Sequence, residues 1–183
     1  MALPVTLYDF QVELSHVDLG ISQRVSLRLA RHPSESLERL WLRVLAHCWR
    51  YREGSEPGPG LCEPALPDVI ARDATGAVTL WVRVGRQDPA KVQQEADRNP
   101  GAEVALLFDS PRRMEAFAAE AAEAGLSRLG RVAVAAVEPA LLAALASREE
   151  RRVRLCLTIV GDHLYLDRAG ETLDGPLHRA SLA

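Results

Sequence analysis

Polar and apolar residues alternate along two segments near the start of the chain, residues 4–14 and 22–31. A period of two residues is typical of strands with one buried face. Asp18 and Gly20 lie between the segments and favour a turn, so the two are predicted to form an antiparallel hairpin. In the second segment the apolar face comprises Val25, Leu27 and Leu29, and the polar face comprises Arg24, Ser26 and Arg28.

The period then changes to that of an amphipathic helix. Pro33 and Ser34 indicate the helix start, and Glu35 favours the positive end of the helix dipole. Residues 53–66 are rich in proline and glycine and predict a loop after this helix. The apolar positions at helical spacing are Leu37, Leu40, Trp41, Val44, Leu45 and Cys48.

Two short alternating segments, residues 67–73 and 77–85, predict a second hairpin with Gly76 in its turn. In its second strand the side chains are predicted to divide between two faces. One face has Leu80, Val82 and Val84, and the other has Thr79, Trp81 and Arg83.

The remaining chain alternates helices with apolar strands. The predicted elements are a helix over 88–98 with Asp88 as N-cap, a strand over 103–109, a helix over 110–125 with Ser110 as N-cap, a strand over 131–137, a helix over 139–147, a hairpin over 152–166 and a loose tail over 168–183. This order predicts the α/β (α+β) class, with a mixed β-sheet flanked by helices and antiparallel N- and C-terminal hairpins alongside it.

Composition fits one globular domain: 183 residues, 48% of them hydrophobic, with a formal net charge of −3. This balance gives no sign of a polybasic nucleic-acid binder. Three widely separated cysteines lack CxxC spacing, and the five histidines lack zinc-ligand spacing. The N-terminus has neither a basic segment nor a long apolar run, which predicts a cytoplasmic protein with no membrane contact.

Several segments occur in unbroken order and together resemble the bacterial YaeQ family: Tyr8-Asp9-Phe10, residues 30–46, Pro67-Asp68 followed by Leu80-Trp81 and Gly85, and residues 157–166. The resemblance implies a variant of the restriction-endonuclease-like, PD-(D/E)XK nuclease fold. It also implies one domain over 1–167, with a core at about 32–137, terminal hairpins 4–31 and 152–166 paired as a subdomain, and a tail over 168–183.

The same resemblance implies a candidate metal site. In PD-(D/E)XK nucleases, Mg²⁺ is held by the aspartate of the PD pair, here Asp68, and by an acid on the following strand. Glu38 matches a helix glutamate that completes the site, so Asp68 and Glu38 are the metal-ligand candidates. Arg83 stands in place of the second acid. Arg86 stands where a glutamine is expected, next to Gln87.

Electrostatics makes the change at Arg83 severe. A guanidinium about 4 Å from a divalent ion would repel it by roughly 8 kcal/mol at an effective dielectric constant of about 20. We therefore hypothesise that Asp68 and Arg83 form an ion pair joined by Glu38.

Three functions follow, in order of preference. The first is a non-catalytic protein that acts by interaction or regulation. The second is a non-cleaving binder of phosphate or nucleic acid, which uses Arg83 and Arg86 with Arg24, Arg28 or Arg72. The third is an active Mg²⁺-dependent nuclease or phosphodiesterase with rearranged ligands. The sequence therefore favours a protein without catalytic activity. It predicts no cofactor unless Mg²⁺ is retained, and it predicts an unidentified protein or nucleic acid as the partner. The rearranged ligands of the third function would be Glu38, Asp68 and Gln87 or Glu63.

Overall fold

The computed structural model describes residues 4–182, and within them the chain forms one ten-stranded sheet and four α-helices. The predicted mixed α+β class is confirmed. Residues 1–3 of the predicted domain and Ala183 of the predicted tail lie outside the described residues. The strands are β1 (Thr6–His16), β2 (Ile21–Arg31), β3 (Glu56–Pro57), β4 (Val69–Arg72), β5 (Val78–Val84), β6 (Glu103–Phe108), β7 (Ala133–Val137), β8 (Arg152–Val160), β9 (His163–Arg168) and β10 (Glu171–Ala180). The helices are α1 (Leu37–Trp49), α2 (Pro89–Arg98), α3 (Pro111–Glu123) and α4 (Pro139–Ala146).

The strand order is β2-β1-β8-β9-β10-β7-β6-β5-β4-β3. Strands β5, β6 and β7 run parallel, and β1 also pairs with β8 in parallel. The other pairs are antiparallel, including the predicted β1–β2, β4–β5 and β8–β9 hairpins. The N- and C-terminal hairpins therefore meet through β1 and β8, beside a parallel centre.

The prediction of a loose C-terminal tail is wrong, because its residues form β10. Residues 171–176 of β10 pair with β9, and residues 177–180 pair with β7. Leu177 is buried, and a Cβ on Gly175 would lie 3.3 Å from the Leu141 side chain of α4. The segment has few apolar residues, so its order depends on these neighbours, which a local pattern does not show.

Two hydrophobic clusters lie on opposite faces of the central strands. Leu80, Val82 and Val84 of β5 belong to the larger cluster, which includes α1 and α4. Trp81 belongs to the smaller cluster, which includes α2 and α3. The predicted division of β5 between two faces is therefore confirmed for its buried residues.

The helix caps show how the sequence sets each helix start. The predicted caps of α2 and α3 are confirmed: Asp88 accepts a hydrogen bond from Ala90 N, and Ser110 accepts one from Arg113 N. The predicted start of α1 at Pro33 and Ser34 is wrong, because Ser36 caps this helix.

No helix between residues 4 and 182 combines the length and apolar character needed to cross a bilayer.

Candidate functional site

A cleft of about 520 Å³ opens at the carboxyl ends of the parallel strands β5 and β6, where α1, α2 and α3 begin. Strand ends and helix starts meet at this edge of a sheet, which is where ligands bind in many α/β proteins. Five basic side chains line the cleft: Arg39, Arg83, Arg86, Lys91 and Arg113. Its acidic side chains are Glu38, Asp88 and Asp109.

Two arginines of α1 hold Asp68 beside the cleft, which Asp68 itself does not line. Its Oδ1 atom accepts a hydrogen bond from Arg39 at 3.0 Å and lies 3.7 Å from the Nε of Arg43. Its Oδ2 atom accepts one from the Val84 amide at 2.9 Å. The side chain is 1% exposed, so both carboxylate oxygens are engaged inside the protein.

Glu35 completes this arrangement with the same two arginines. Arg39 donates to its carboxylate at 2.6 Å, and Arg43 donates to both of its oxygens at 3.2 and 3.3 Å. Two acids and two arginines thus form a compensated set, and only the Arg39 side chain is appreciably exposed, at 23%. We call Glu35, Arg39, Arg43 and Asp68 the buried network.

Sequence reasoning missed Glu35, Arg39 and Arg43 as functional residues. Arg39 and Arg43 lie four residues apart on one side of α1, and Glu35 lies four residues before Arg39, next to the Ser36 cap. This regular spacing is the signal that could have revealed them. Arg43 sits among apolar positions of α1, where a charge needs a partner. The sequence predicts that Glu35 favours the positive end of the helix dipole. In the structure Glu35 precedes α1, and its carboxylate accepts hydrogen bonds from both arginines.

Glycines in the loop after α1 allow Arg43 to reach its remaining partners. Arg43 donates to the backbone oxygens of Ala30 and Gly58. A Cβ on Gly60 would lie 2.7 Å from the guanidinium, and Gly60 also has φ +61°. The Pro- and Gly-rich segment therefore folds over a buried arginine, and a larger residue at position 60 would displace it.

The hypothesised ion pair between Asp68 and Arg83 is wrong. Arg83 donates to the backbone oxygens of Pro64 at 2.7 Å and Leu66 at 2.6 Å, and its guanidinium lies 5.7 Å from the Trp81 ring centroid. Arg83 shares the face of Trp81, whereas Asp68 contacts α1 on the opposite face. Asp68 precedes β4, so strand alternation does not fix its direction.

The other predicted site residues divide between the cleft and the surface. Glu38, Arg86 and Gln87 line the cleft, and Gln87 donates to Val84 O at 3.0 Å. Glu38 makes no ion pair within residues 4–182, so it does not join Asp68 and Arg83 as hypothesised. Glu63 is exposed and, like Asp68, does not line the cleft, so the rearranged ligands of the third function do not come together there.

The expected arginine set is also corrected. Arg24 and Arg28 pair with Glu13 and Asp9 on the N-terminal hairpin, and Arg72 donates to Gly76 O at its own turn. These three arginines do not line the cleft. Their places are taken by Arg39 of α1, Lys91 of α2 and Arg113 of α3.

The cleft has an excess of positive charge on a chain whose net charge is negative. Arg113 pairs with Asp109, and Asp88 is used as the cap of α2. Guanidinium and ammonium groups attract phosphates and carboxylates. The arrangement is suited to an anionic ligand.

His47 and Cys48 are adjacent residues of reactive types, and both lie inside α1, away from the cleft. Burial raises the pKa of the Cys48 thiol to about 12 and lowers the pKa of His47 to about 4. Both groups are therefore neutral near pH 7, and the His47 Nε2 atom lies 3.2 Å from Ser55 Oγ. A buried, neutral thiol beside a neutral imidazole is typical of structural packing, not of a reactive nucleophile.

Within residues 4–182, no group of three or more His, Cys, Asp and Glu side chains is arranged to hold a metal ion. The donor set around Asp68 contains guanidinium and amide N–H groups. Magnesium requires oxygen ligands. The residues present do not fit the Mg²⁺ site that the resemblance implies.

The fold and the cleft define a mixed α+β protein with a basic cleft at the ends of its parallel strands. The sequence profile of the family described as YaeQ protein matches residues 1–175. The chain therefore belongs to the YaeQ family, which confirms the family resemblance.

Relatives and solved structures agree with this assignment. The uncharacterized protein YaeQ of Escherichia coli (strain K12) is 34% identical over 112 residues, 61% of each chain. That alignment thus spans about three fifths of the relative's length. The uncharacterized protein YaeQ of Salmonella typhi is 26% identical over 174 residues, 95% of this chain and 94% of the relative.

Two crystal structures match nearly the whole fold. The YaeQ protein from Xanthomonas axonopodis pv. citri has a TM-score of 0.87 and 25% identity, and the match covers 98% of this chain and 99% of that one. The YaeQ protein from Pseudomonas syringae has a TM-score of 0.87 and 26% identity, with 98% of both chains covered.

Proposed function

We propose that this chain is a catalytically degenerate protein on a nuclease-like scaffold, which binds a phosphate-bearing ligand of the nucleic-acid type without cleaving it. Such a protein acts by interaction, in the cytoplasm, and needs no metal cofactor. The observation that carries the proposal is the position of Asp68: its carboxylate is held by two arginines and a backbone amide directly beside a basic cleft.

The buried network argues against catalysis by Mg²⁺. A metal on Asp68 would have to displace the contacts of Arg39 and Arg43. Removing one partner from a buried ion pair typically costs about 3–5 kcal/mol, because the other charge stays buried without compensation. Arg83, where the family resemblance implies a second acid, adds a positive charge beside the same cleft.

The cleft supplies groups that suit phosphate. Arg86 and Lys91 are exposed and line it from the β5–α2 connection and from α2. A guanidinium can donate two parallel hydrogen bonds to one phosphate, and an ammonium adds a mobile point charge. Arg39 lines the cleft and also pairs with Asp68 in the buried network. A ligand that contacts Arg39 in the cleft would therefore contact a member of the buried network.

The test measures the fluorescence anisotropy of a labelled 12-nucleotide single strand and of the matching duplex, without metal. We expect saturable binding that weakens as salt rises from about 50 to 200 mM, because phosphate contacts release counterions. Arg86→Ser/Lys91→Ser should lower the affinity by about tenfold, the loss expected for two charged phosphate contacts.

The matched control is Arg151→Ser/Arg154→Ser, which removes two exposed charges outside the cleft. It should retain the affinity to within about twofold, apart from the small change in long-range attraction. Equal losses in both variants would show binding by general charge and would contradict the proposal. Absence of binding at low salt would contradict it as well.

A further inference from the structure

The two ends of the sheet differ in a way that points to a second binding surface. One end is β3, which has only two residues and includes Pro57. The other end is β2, which has eleven residues and pairs only with β1 among the described strands. β2 also contacts β3 and Gly60–Cys62, and Arg43 binds Ala30 O, so the open part of this edge precedes residue 30. Short strands and prolines block the addition of another strand, whereas a long edge offers a row of free N–H and C=O groups.

All charged residues of β2 are basic. β2 contains Arg24, Arg28 and Arg31, and it contains no Asp or Glu. Arg24 and Arg28 lie on the polar face, and their side chains are 74% and 70% exposed. Each binds β1 through one nitrogen, so the rest of each guanidinium fork is available to a strand on the free side.

β1 itself shows what kind of strand fits beside β2. It presents Glu13 opposite Arg24 and Asp9 opposite Arg28, four residues apart on one face. Opposite charges across neighbouring strands stabilise the pairing. A strand on the free side with acids at alternating positions would repeat this pattern.

A second copy of the chain does not offer acids to Arg24 and Arg28 as β1 does. Antiparallel pairing of two β2 strands centred on Ser26 places Arg24 opposite Arg28 of the other copy. Centring the pair on Arg24 or Arg28 places that arginine opposite itself. Like charges at opposite positions disfavour these three registers, and because β2 contains no Asp or Glu, no register of self-pairing offers an acid to Arg24 or Arg28.

From these observations we infer that β2 is a docking edge, which receives an extended acidic segment of a partner protein as an additional strand. Backbone hydrogen bonds to β2 supply affinity, and carboxylates facing Arg24 and Arg28 supply selectivity. This surface is separate from the cleft, because neither arginine lines it.

The probe is a labelled decapeptide of alternating Val and Glu, with blocked ends, and its control is the alternating Val and Lys decapeptide. Fluorescence anisotropy with the whole chain should show binding of the acidic peptide only. Amide hydrogen exchange should slow within residues 21–28 when the acidic peptide is bound, because docked N–H groups lose contact with water.

Arg24→Ser/Arg28→Ser should weaken the acidic peptide by about tenfold, since both charge-assisted contacts are lost. The matched control Arg152→Ser/Arg154→Ser removes two arginines from β8, two strands inside the edge. It should change the affinity by less than about threefold, as expected for charges that act only at a distance.

Three outcomes would overturn the inference: equal binding of both peptides, acidic-peptide binding without slower exchange in β2, or a dimer in sedimentation that protects β2 and excludes the peptide. Complete displacement of the peptide by the 12-nucleotide strand, with loss of oligonucleotide binding in Arg24→Ser/Arg28→Ser, would instead assign the edge to nucleic acid.

Discussion

The buried network and the exposed pairs on the N-terminal hairpin use the same chemical groups in different surroundings. Glu35 and Arg43 are 0% exposed, whereas Arg24 and Glu13 are 74% and 63% exposed. Water solvates the exposed pair whether or not it forms, so its net contribution is small. A buried charge has no such alternative and depends on its partner. Burial therefore separates arginines that maintain the fold from arginines available to ligands.

Truncation of Arg43 should show the largest difference between the buried and the exposed pairs. Arg43→Ala should lower the free energy of unfolding by about 3–5 kcal/mol, because Glu35 and Asp68 lose a buried counter-charge. Urea unfolding at pH 7 measures the change. The exposed control Arg24→Ala should change stability by less than about 1 kcal/mol. Similar effects of both substitutions would refute the distinction.

His47 tests the same rule through pH. Burial lowers its pKa from 6.5 to about 4 in the folded protein. Between these values the unfolded chain binds more protons, so stability falls as pH drops from about 6.5 to 4, by roughly 3 kcal/mol for this group.

Urea unfolding at pH 7 and at pH 4.5 checks this dependence. His47→Gln, which cannot titrate, should lose less stability than the wild type over that interval. An equal loss in both proteins would show that His47 does not contribute to the acid sensitivity.

A pair of glycines separates backbone strain from contact with Arg43. Gly60 and Gly76 both have positive φ, +61° and +85°, but only a Cβ at Gly60 would meet the guanidinium. Alanine at either position should cost about 1–2 kcal/mol from the backbone. Gly60→Ala should cost measurably more, as determined by thermal unfolding. Equal costs would mean that the loop yields without disturbing the network.

The smallest expected effect concerns the exposed pair itself. A double-mutant cycle on Arg24 and Glu13 should give a coupling of about 0.5 kcal/mol or less at physiological salt. The cycle is measured by urea unfolding of Arg24→Ala, Glu13→Ala and the double variant. A coupling above about 2 kcal/mol would show that exposure does not set the value of these pairs.

Much of the fold could be predicted because local patterns agree with the tertiary structure. Alternation in β1 and β2, the caps Asp88 and Ser110, and the two faces of β5 all follow from short-range rules. β10 could not be found this way, since its pairing with β7 and β9 supplies most of what orders it.

The site was predicted less completely. The family resemblance indicated Asp68, Glu38, Arg86 and Gln87 as site residues, and the last three line the cleft. The arginine partners of Asp68 were not recognisable, because Arg39 and Arg43 lie 29 and 25 residues earlier in the chain, on α1. A residue just outside a strand has no fixed face. The side chain of Asp68 therefore does not contact Arg83, although the predicted hairpin placed the two residues across from each other.

Asp68 is an internal partner of Arg39 and Arg43, and we propose that the cleft beside it binds phosphate without metal. The most direct test compares binding and integrity of the labelled 12-nucleotide strand in EDTA and in Mg²⁺ or Mn²⁺, with wild-type protein and Asp68→Asn. We expect that metal does not strengthen wild-type binding, apart from the weakening that competing cations cause, and that the strand stays intact throughout. Metal-dependent binding or cleavage that Asp68→Asn abolishes would contradict it and would identify Asp68 as a metal ligand.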